Sequence, residues 1–97
     1  KLIVRRGEVI TSDIFRRNEL SYKSINPTIK NLMRKTRDKV KLKGSIVNEI
    51  KTRGDFIKKI RDSLTVDQNI KYQLDVVALK DIKTAEPILV ELNISKL

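Results

Sequence analysis

The chain lacks cysteine, histidine and tryptophan altogether. Without cysteine there is no disulfide and no thiolate nucleophile, and without histidine there is no imidazole general base. A zinc site of the Cys/His kind is excluded as well. Any catalysis by this chain would need a hard metal ion on Asp and Glu, or a Ser–Lys pair, and no recognisable Ser–Lys spacing is present.

Aromatic residues, glycine and proline are also scarce, with four, three and two copies. Because 39% of the residues are hydrophobic, the core must be aliphatic. A chain of 97 residues suits one domain, which we divide into a basic helical part (residues 1–64) and a hairpin part (residues 65–97). No apolar run approaches the roughly 18–20 residues of a membrane span. We therefore expect a soluble, intracellular protein, in the cytoplasm, nucleoid or nucleus, without membrane association.

Positive charge is concentrated in the amino-terminal part. Residues 1–64 carry 18 basic and 7 acidic side chains, whereas residues 65–97 carry 4 and 5, and the whole chain has a formal charge of +10. Such an excess attracts polyanions, because each Lys or Arg placed at a phosphate releases condensed counterions. Nucleic acid is the leading partner. The alternatives are a solvated basic surface and a docking surface for an acidic protein; homo-oligomerisation stays open.

Residue patterns predict four helices in the basic part. Thr11 or Ser12 caps a helix that ends near Leu20, and Asn26 caps a second one that begins at Pro27 and ends near Lys41. Glycines at 44 and 54 then separate two further short helices. Their predicted ranges are Ser45–Arg53 and Asp55–Leu64, with Asp55 as a cap.

The remaining segments are β-branched and apolar. Leu2–Arg5 suits a short strand, and the runs Tyr72–Leu79 and Pro87–Ile94, joined by the polar turn Lys80–Glu86, predict a hairpin. The expected fold class is α+β: a basic helical block of three to four short helices packed with a carboxyl-terminal β-hairpin, together with a short amino-terminal strand.

The segment ITSDIFRRNELSYKSINPTIKNL, Ile10–Leu32, resembles a helix-turn-helix DNA-binding motif, with Ile14 as the apolar anchor of its first helix. Together with the preceding LIVRRGEVITS it is weakly similar to the amino-terminal region of phage Rha-type regulatory proteins. The resemblance implies duplex DNA binding in transcription regulation, with a recognition helix in the major groove. The alternative is an ordinary helical hairpin with a solvated basic face.

Four cations of the second predicted helix fall on one helical stripe, at i, i+4, i+7 and i+11: Lys30, Arg34, Arg37 and Lys41. Such a stripe can follow a phosphate backbone. Polar residues at the start of that helix are expected near base edges, but two tyrosines are too few to form a stacking platform for single strands. The predicted nucleic-acid-binding residues are Arg16, Arg17, Tyr22, Lys23, Asn26, Thr28, Lys30, Arg34, Lys35, Arg37 and Lys41.

The segment LDVVALKDIKTAEPILVEL, Leu74–Leu92, resembles the metal-binding core of PD-(D/E)xK nucleases. That resemblance implies that Asp75 and Glu91 hold Mg²⁺, which activates the attacking water. The family's Lys two residues after the Glu is replaced by Asn93. The alternative is that both carboxylates are polar residues of an amphipathic hairpin. We expect a binding protein without a cofactor or catalytic residues. A Mg²⁺ cofactor is expected only under the alternative that the chain is a truncated or degenerate PD-(D/E)xK nuclease.

Overall fold

The computed structural model describes all residues from Lys1 to Leu97 and contains two α-helices and six strands. The helices are α1 (Ile25–Leu42) and α2 (Phe56–Ser63), and a short 3-10 helix covers Arg17–Leu20. The strands, in chain order, are β1 (Leu2–Val4), β2 (Val9–Arg16), β3 (Ile50–Thr52), β4 (Lys71–Ala78), β5 (Ile82–Lys83) and β6 (Ile88–Lys96).

The main sheet has the strand order β2-β4-β6-β3. Strand β4 is antiparallel to both of its neighbours, whereas β3 joins the edge of β6 in parallel. Strands β1 and β5 form a separate antiparallel pair. Since β2 and β3 are the two edges, the connection through α1 carries the chain across the whole sheet.

Both helices pack on the same face of the main sheet. Helix α1 contacts β2, α2 contacts β6, and the two helices contact each other. The strands face them with alternate apolar residues, as the period of two requires. The buried residues of β4 and β6 on this face are Tyr72, Leu74, Val76, Ala78, Ile88, Val90 and Leu92. The opposite face carries mostly polar residues and is not covered by a helix, so the fold has a single aliphatic core.

The predicted helical block is wrong in two places. Residues 11–16, expected to begin a helix, belong to β2, where Thr11, Asp13 and Phe15 lie across from Val76, Leu74 and Tyr72. The predicted helix Ser45–Arg53 is a loop followed by β3. Long-range pairing with β4 and β6 overrides the local helical spacing in both segments. The predicted fold class, a helical block of three to four helices with a hairpin, is therefore corrected to a mixed sheet with two helices on one face.

Other predicted elements are found in the structure. Helix α1 begins at Ile25, two residues earlier than predicted, with Ser24 instead of Asn26 at the N-cap position. Pro27 is still tolerated, because the amides of the first helical turn have no intrahelical partner. The predicted hairpin strands pair antiparallel as β4 and β6, but they form the centre of the sheet.

A glycine is required where β3 turns into α2. Gly54 adopts a φ of +73°, in the left-handed region that disfavours side chains. The next residue, Asp55, caps α2 as predicted: its Oδ1 accepts hydrogen bonds from the backbone N–H groups of Ile57 and Lys58, at 3.0 and 3.2 Å. None of the helices is long and apolar enough to cross a membrane.

Candidate nucleic-acid interface

Helix α1 exposes the four predicted cations on the side away from the sheet. Its inner side is formed by Ile25, Leu32, Thr36 and Val40, all of which are buried. Lys30, Arg34 and Lys41 are exposed and Arg37 is half-buried; we call these four residues the α1 stripe. At about 1.5 Å per residue the stripe extends for roughly 16 Å along the helix axis.

No member of the α1 stripe forms an ion pair. The four ion pairs of the protein lie elsewhere, at Lys35–Asp13, Lys43–Glu8, Lys51–Glu49 and Lys80–Glu86. Within the stripe, Arg34 donates a hydrogen bond to Oδ1 of Asn31 at 2.7 Å, which orients the guanidinium without neutralising it. The only acidic residue of α1 is Asp38. The stripe is therefore a line of uncompensated positive charge on a rigid element.

The amino-terminal half of the stripe borders an open depression of about 300 Å³ on the surface of α1. The depression is lined by Pro27, Lys30, Asn31, Arg34 and Arg37. Side-chain amide and guanidinium groups here can donate hydrogen bonds to phosphate oxygens, and Arg can do so with two nitrogens at once. The concavity has no acidic lining residue that would oppose an anion.

Three of the predicted binding residues are engaged in contacts within the fold. Lys35 pairs with Asp13 at 3.1 Å, which fastens α1 to β2. Thr28 donates from Oγ1 to the backbone oxygen of Glu19 at 2.8 Å. Arg17 donates from Nε to the backbone oxygen of Thr65 at 2.7 Å. Their hydrogen-bonding groups therefore make contacts within the fold, at the middle of α1 for Lys35, at its start for Thr28, and between the 3-10 helix and the segment after α2 for Arg17.

Arg17, Thr65 and the buried hydroxyl of Tyr72 lie together in one cluster, which we call the Tyr72 corner. Burial alone would raise the pKa of this phenol. The hydrogen bonds from Thr65 and the positive charges of Arg17 and Lys96 act in the opposite direction and together outweigh burial, so the pKa of Tyr72 lies below its ordinary value of 10.0. Thr65 donates its backbone N–H to the hydroxyl at 3.0 Å. This corner connects the end of α2 to β4.

The other predicted residues lie in two different places. Arg16 ends β2 on the uncovered face of the sheet, across from Lys71, so it is not brought together with the α1 stripe. Lys23 and Asn26 are exposed at the start of α1. Tyr22 precedes them and is 83% exposed. The helix expected before this turn is absent, so α1 has no α-helical partner earlier in the chain.

Arg61 lies close to the predicted binding residue Tyr22, although it was not itself among the predicted binding residues. Its guanidinium carbon lies 5.6 Å from the centroid of the Tyr22 ring, over the ring. The sequence gives little indication of a role for Arg61, because it shows only a basic residue on the exposed side of the amphipathic helix α2. The packing of α2 beside α1 is what brings it to Tyr22.

Asp75 and Glu91 lie on the uncovered face of the sheet, in neighbouring cross-strand positions. Asp75 is opposite Asn93, and Glu91 is opposite Val77. Oδ1 of Asp75 already accepts hydrogen bonds from Ser12 Oγ at 2.6 Å and from Gln73 Nε2 at 3.1 Å. No group of three or more acidic residues is close enough together to hold a metal ion. The Mg²⁺ site implied by the nuclease resemblance thus has two neighbouring carboxylates and no third.

Comparisons of the chain with models of protein families, with curated proteins and with solved structures find no match.

Proposed function

We propose that the protein binds nucleic acid through the α1 stripe, and that duplex DNA is its main ligand. The observation that carries the proposal is the charge arrangement of α1: four cations on one helical face, none of them in an ion pair. A solvated surface needs no such alignment. Because only Lys35, Lys43, Lys51 and Lys80 form ion pairs in this protein, the alignment of the four cations, more than their lack of partners, distinguishes the stripe.

The length of the stripe supports contact with a phosphate backbone. Consecutive phosphates of one B-DNA strand are separated along the backbone by roughly twice their axial spacing of about 3.4 Å, so a stripe of roughly 16 Å spans about three of them. The length of the Lys and Arg side chains lets all four cations approach a phosphate of this strand or of the strand across the groove. Because the core residues of α1 fix the helix on the sheet, these contacts need little ordering of the backbone on binding.

The stripe supports affinity more than sequence readout. Contacts to phosphates position a protein on the duplex but carry no sequence information. Of the residues expected near base edges, Thr28 is hydrogen-bonded to Glu19, which leaves Lys23 and Asn26 exposed next to Tyr22. We therefore propose strong salt dependence with weak sequence preference.

The test is a titration of the purified chain with labelled duplex DNA, single-stranded DNA and duplex RNA at several salt concentrations. With about four phosphate contacts, log K should fall with log salt with a slope near −3.6, and affinity should drop about 150-fold between about 50 and about 200 mM salt.

Poly-glutamate of matched charge is the control for an acidic protein surface. Absence of binding at low salt contradicts the proposal, as does a slope near zero. Competition by poly-glutamate as strong as that by DNA would favour an acidic protein partner instead.

A further inference from the structure

Tyr22 is the only one of the four aromatic residues that lies outside the core. Tyr72 and Phe56 are buried, and Phe15 packs against the core. The Tyr22 side chain is 83% exposed, and its ring is contacted on one side by the guanidinium of Arg61. A large exposed ring of this kind does little for folding, because it gains almost no burial.

The cation–π contact favours one orientation of the Tyr22 ring, because the guanidinium is attracted to the negative face of the π-system. Arg61 comes from α2 and Tyr22 from the turn that precedes α1, so the pair joins the two helices at the amino-terminal end of α1. Lys23 and Asn26 follow in the chain, and Lys30 of the α1 stripe lies about two helical turns further on.

Resting on the function proposed above, we propose that Tyr22 and Arg61 form a stacking platform for one unpaired base beside the phosphate-binding α1 stripe. One exposed ring cannot stack the run of bases that a single-strand-binding surface holds, but it can stack a single base. The π-face of any base can stack on an aromatic ring, and this interaction is tolerant of sequence. Bases inside a continuous duplex are already stacked and paired, and taking one out of the duplex is unfavourable. The preferred ligand is accordingly a duplex with a single-stranded end, in which the unpaired base reaches the platform without unstacking.

The test compares a blunt duplex with a duplex of equal phosphate number that ends in an unpaired overhang. The wild-type protein should bind the overhang about five- to tenfold more tightly, the low end of the base–aromatic range, because the platform is open to water. Tyr22→Ala should lose this preference, so that the overhang and the blunt duplex bind with equal affinity. Tyr22→Phe, which retains the ring, is the matched control and should keep the preference.

Tyrosine emission gives a second readout that does not depend on affinity. The chain contains no tryptophan and only two tyrosines, of which Tyr72 is buried. At saturation, the overhang should quench emission in the wild-type protein but not in Tyr22→Phe, where only Tyr72 emits. The blunt duplex should quench neither.

The outcomes separate the two proposals. If the blunt duplex binds with the expected salt slope but the overhang brings neither tighter binding nor quenching, the stacking platform is wrong and the proposed function stands. If Tyr22→Ala and Tyr22→Phe lose the preference equally, the hydroxyl rather than the ring is responsible, and stacking is again wrong. If no nucleic acid binds at low salt, the proposed function fails and the platform with it.

Discussion

At the scale of single residues, two buried threonines connect α1 to the edge strand β2. Thr36 donates from Oγ1 to the backbone oxygen of Leu32 at 2.9 Å, and its hydroxyl oxygen lies 2.8 Å from that of Thr11. Since the single hydroxyl hydrogen of Thr36 is used on Leu32, Thr11 is the donor in the second bond. Both side chains are almost fully buried, so neither hydroxyl has water as a substitute partner.

Replacing Thr36 by Val should destabilise the protein by about 1–3 kcal/mol, because the buried hydroxyl of Thr11 is left without an acceptor. The double variant Thr11→Val/Thr36→Val should be more stable than Thr36→Val alone, since two apolar groups of the same shape replace the pair. Urea unfolding of wild type, Thr11→Val, Thr36→Val and the double variant measures this. Simple addition of two destabilising effects would show that the hydroxyl pair is not coupled.

Glu8 supplies the expected pH dependence. The hydrogen bond from the Lys43 ammonium lowers the pKa of Glu8 below its ordinary value of 4.5. Burial acts in the opposite direction, whereas the hydrogen bond from the Arg5 backbone N–H and the positive charges of Lys43 and Arg5 also lower the pKa. A carboxyl whose folded pKa is lowered contributes stability that is present above the unfolded pKa and is lost as the pH falls through the folded pKa.

Unfolding free energies of wild type and Glu8→Gln should therefore differ at pH 6 and converge as the pH falls through the folded-state pKa of Glu8, which lies below 4.5. The difference at pH 6 should be about 0.2–1 kcal/mol, because the pair is partly exposed to solvent. A constant difference at every pH would show that the ionised carboxyl is not responsible.

At the scale of elements, the helices with clear start signals were predictable and the edge strands were not. Asn26-Pro27 and Gly54-Asp55 mark the starts of α1 and α2 to within about two residues. Strand β2 was missed because Thr11 and Ser12 suggest a helix cap, although the β-branched run that contains them also fits a strand. What decides between the two is pairing with β4, some 60 residues later in the chain, which no local pattern shows.

The cap of α2 gives the element-scale prediction. Asp55→Ala should cost about 0.5–2 kcal/mol of unfolding free energy, because the amides of Ile57 and Lys58 lose their acceptor. Asp55→Asn, whose amide oxygen can accept the same bonds, should retain most of the stability. Thermal and urea unfolding test the pair; equal losses in both variants would mean that the side-chain cap does not stabilise α2.

At the scale of the whole molecule, the +10 charge is distributed over an elongated shape of 45 × 22 × 21 Å. The α1 stripe was predictable because the helical period alone places its four cations together. The separation of Arg16 from the stripe was not predictable, because it depends on residues 11–16 forming a strand, in which successive side chains point to opposite faces of the sheet. The contact of Arg61 with Tyr22 was not predictable either, because it depends on the packing of α2 beside α1.

The proposed function assigns binding of the phosphate backbone to the α1 stripe rather than to the net charge of the chain, and this assignment can be tested. Two double variants remove the same charge: Arg34→Ala/Arg37→Ala on the stripe and Lys39→Ala/Lys58→Ala away from it. Lys39 lies roughly 180° around the helix axis from Lys30 at about 100° per residue. Lys58 is exposed on α2, and neither control lysine forms an ion pair. Circular dichroism should be recorded to check that both variants are folded before binding is compared.

The deciding measurement is the salt dependence of duplex DNA binding for these two variants and the wild type. The stripe variant should lower the magnitude of the slope by about 2, roughly 0.9 for each phosphate that is no longer neutralised, whereas the off-stripe variant should change it by less than about 0.5. Equal reductions in both variants would contradict a role of the α1 stripe, because net charge alone would then explain the binding.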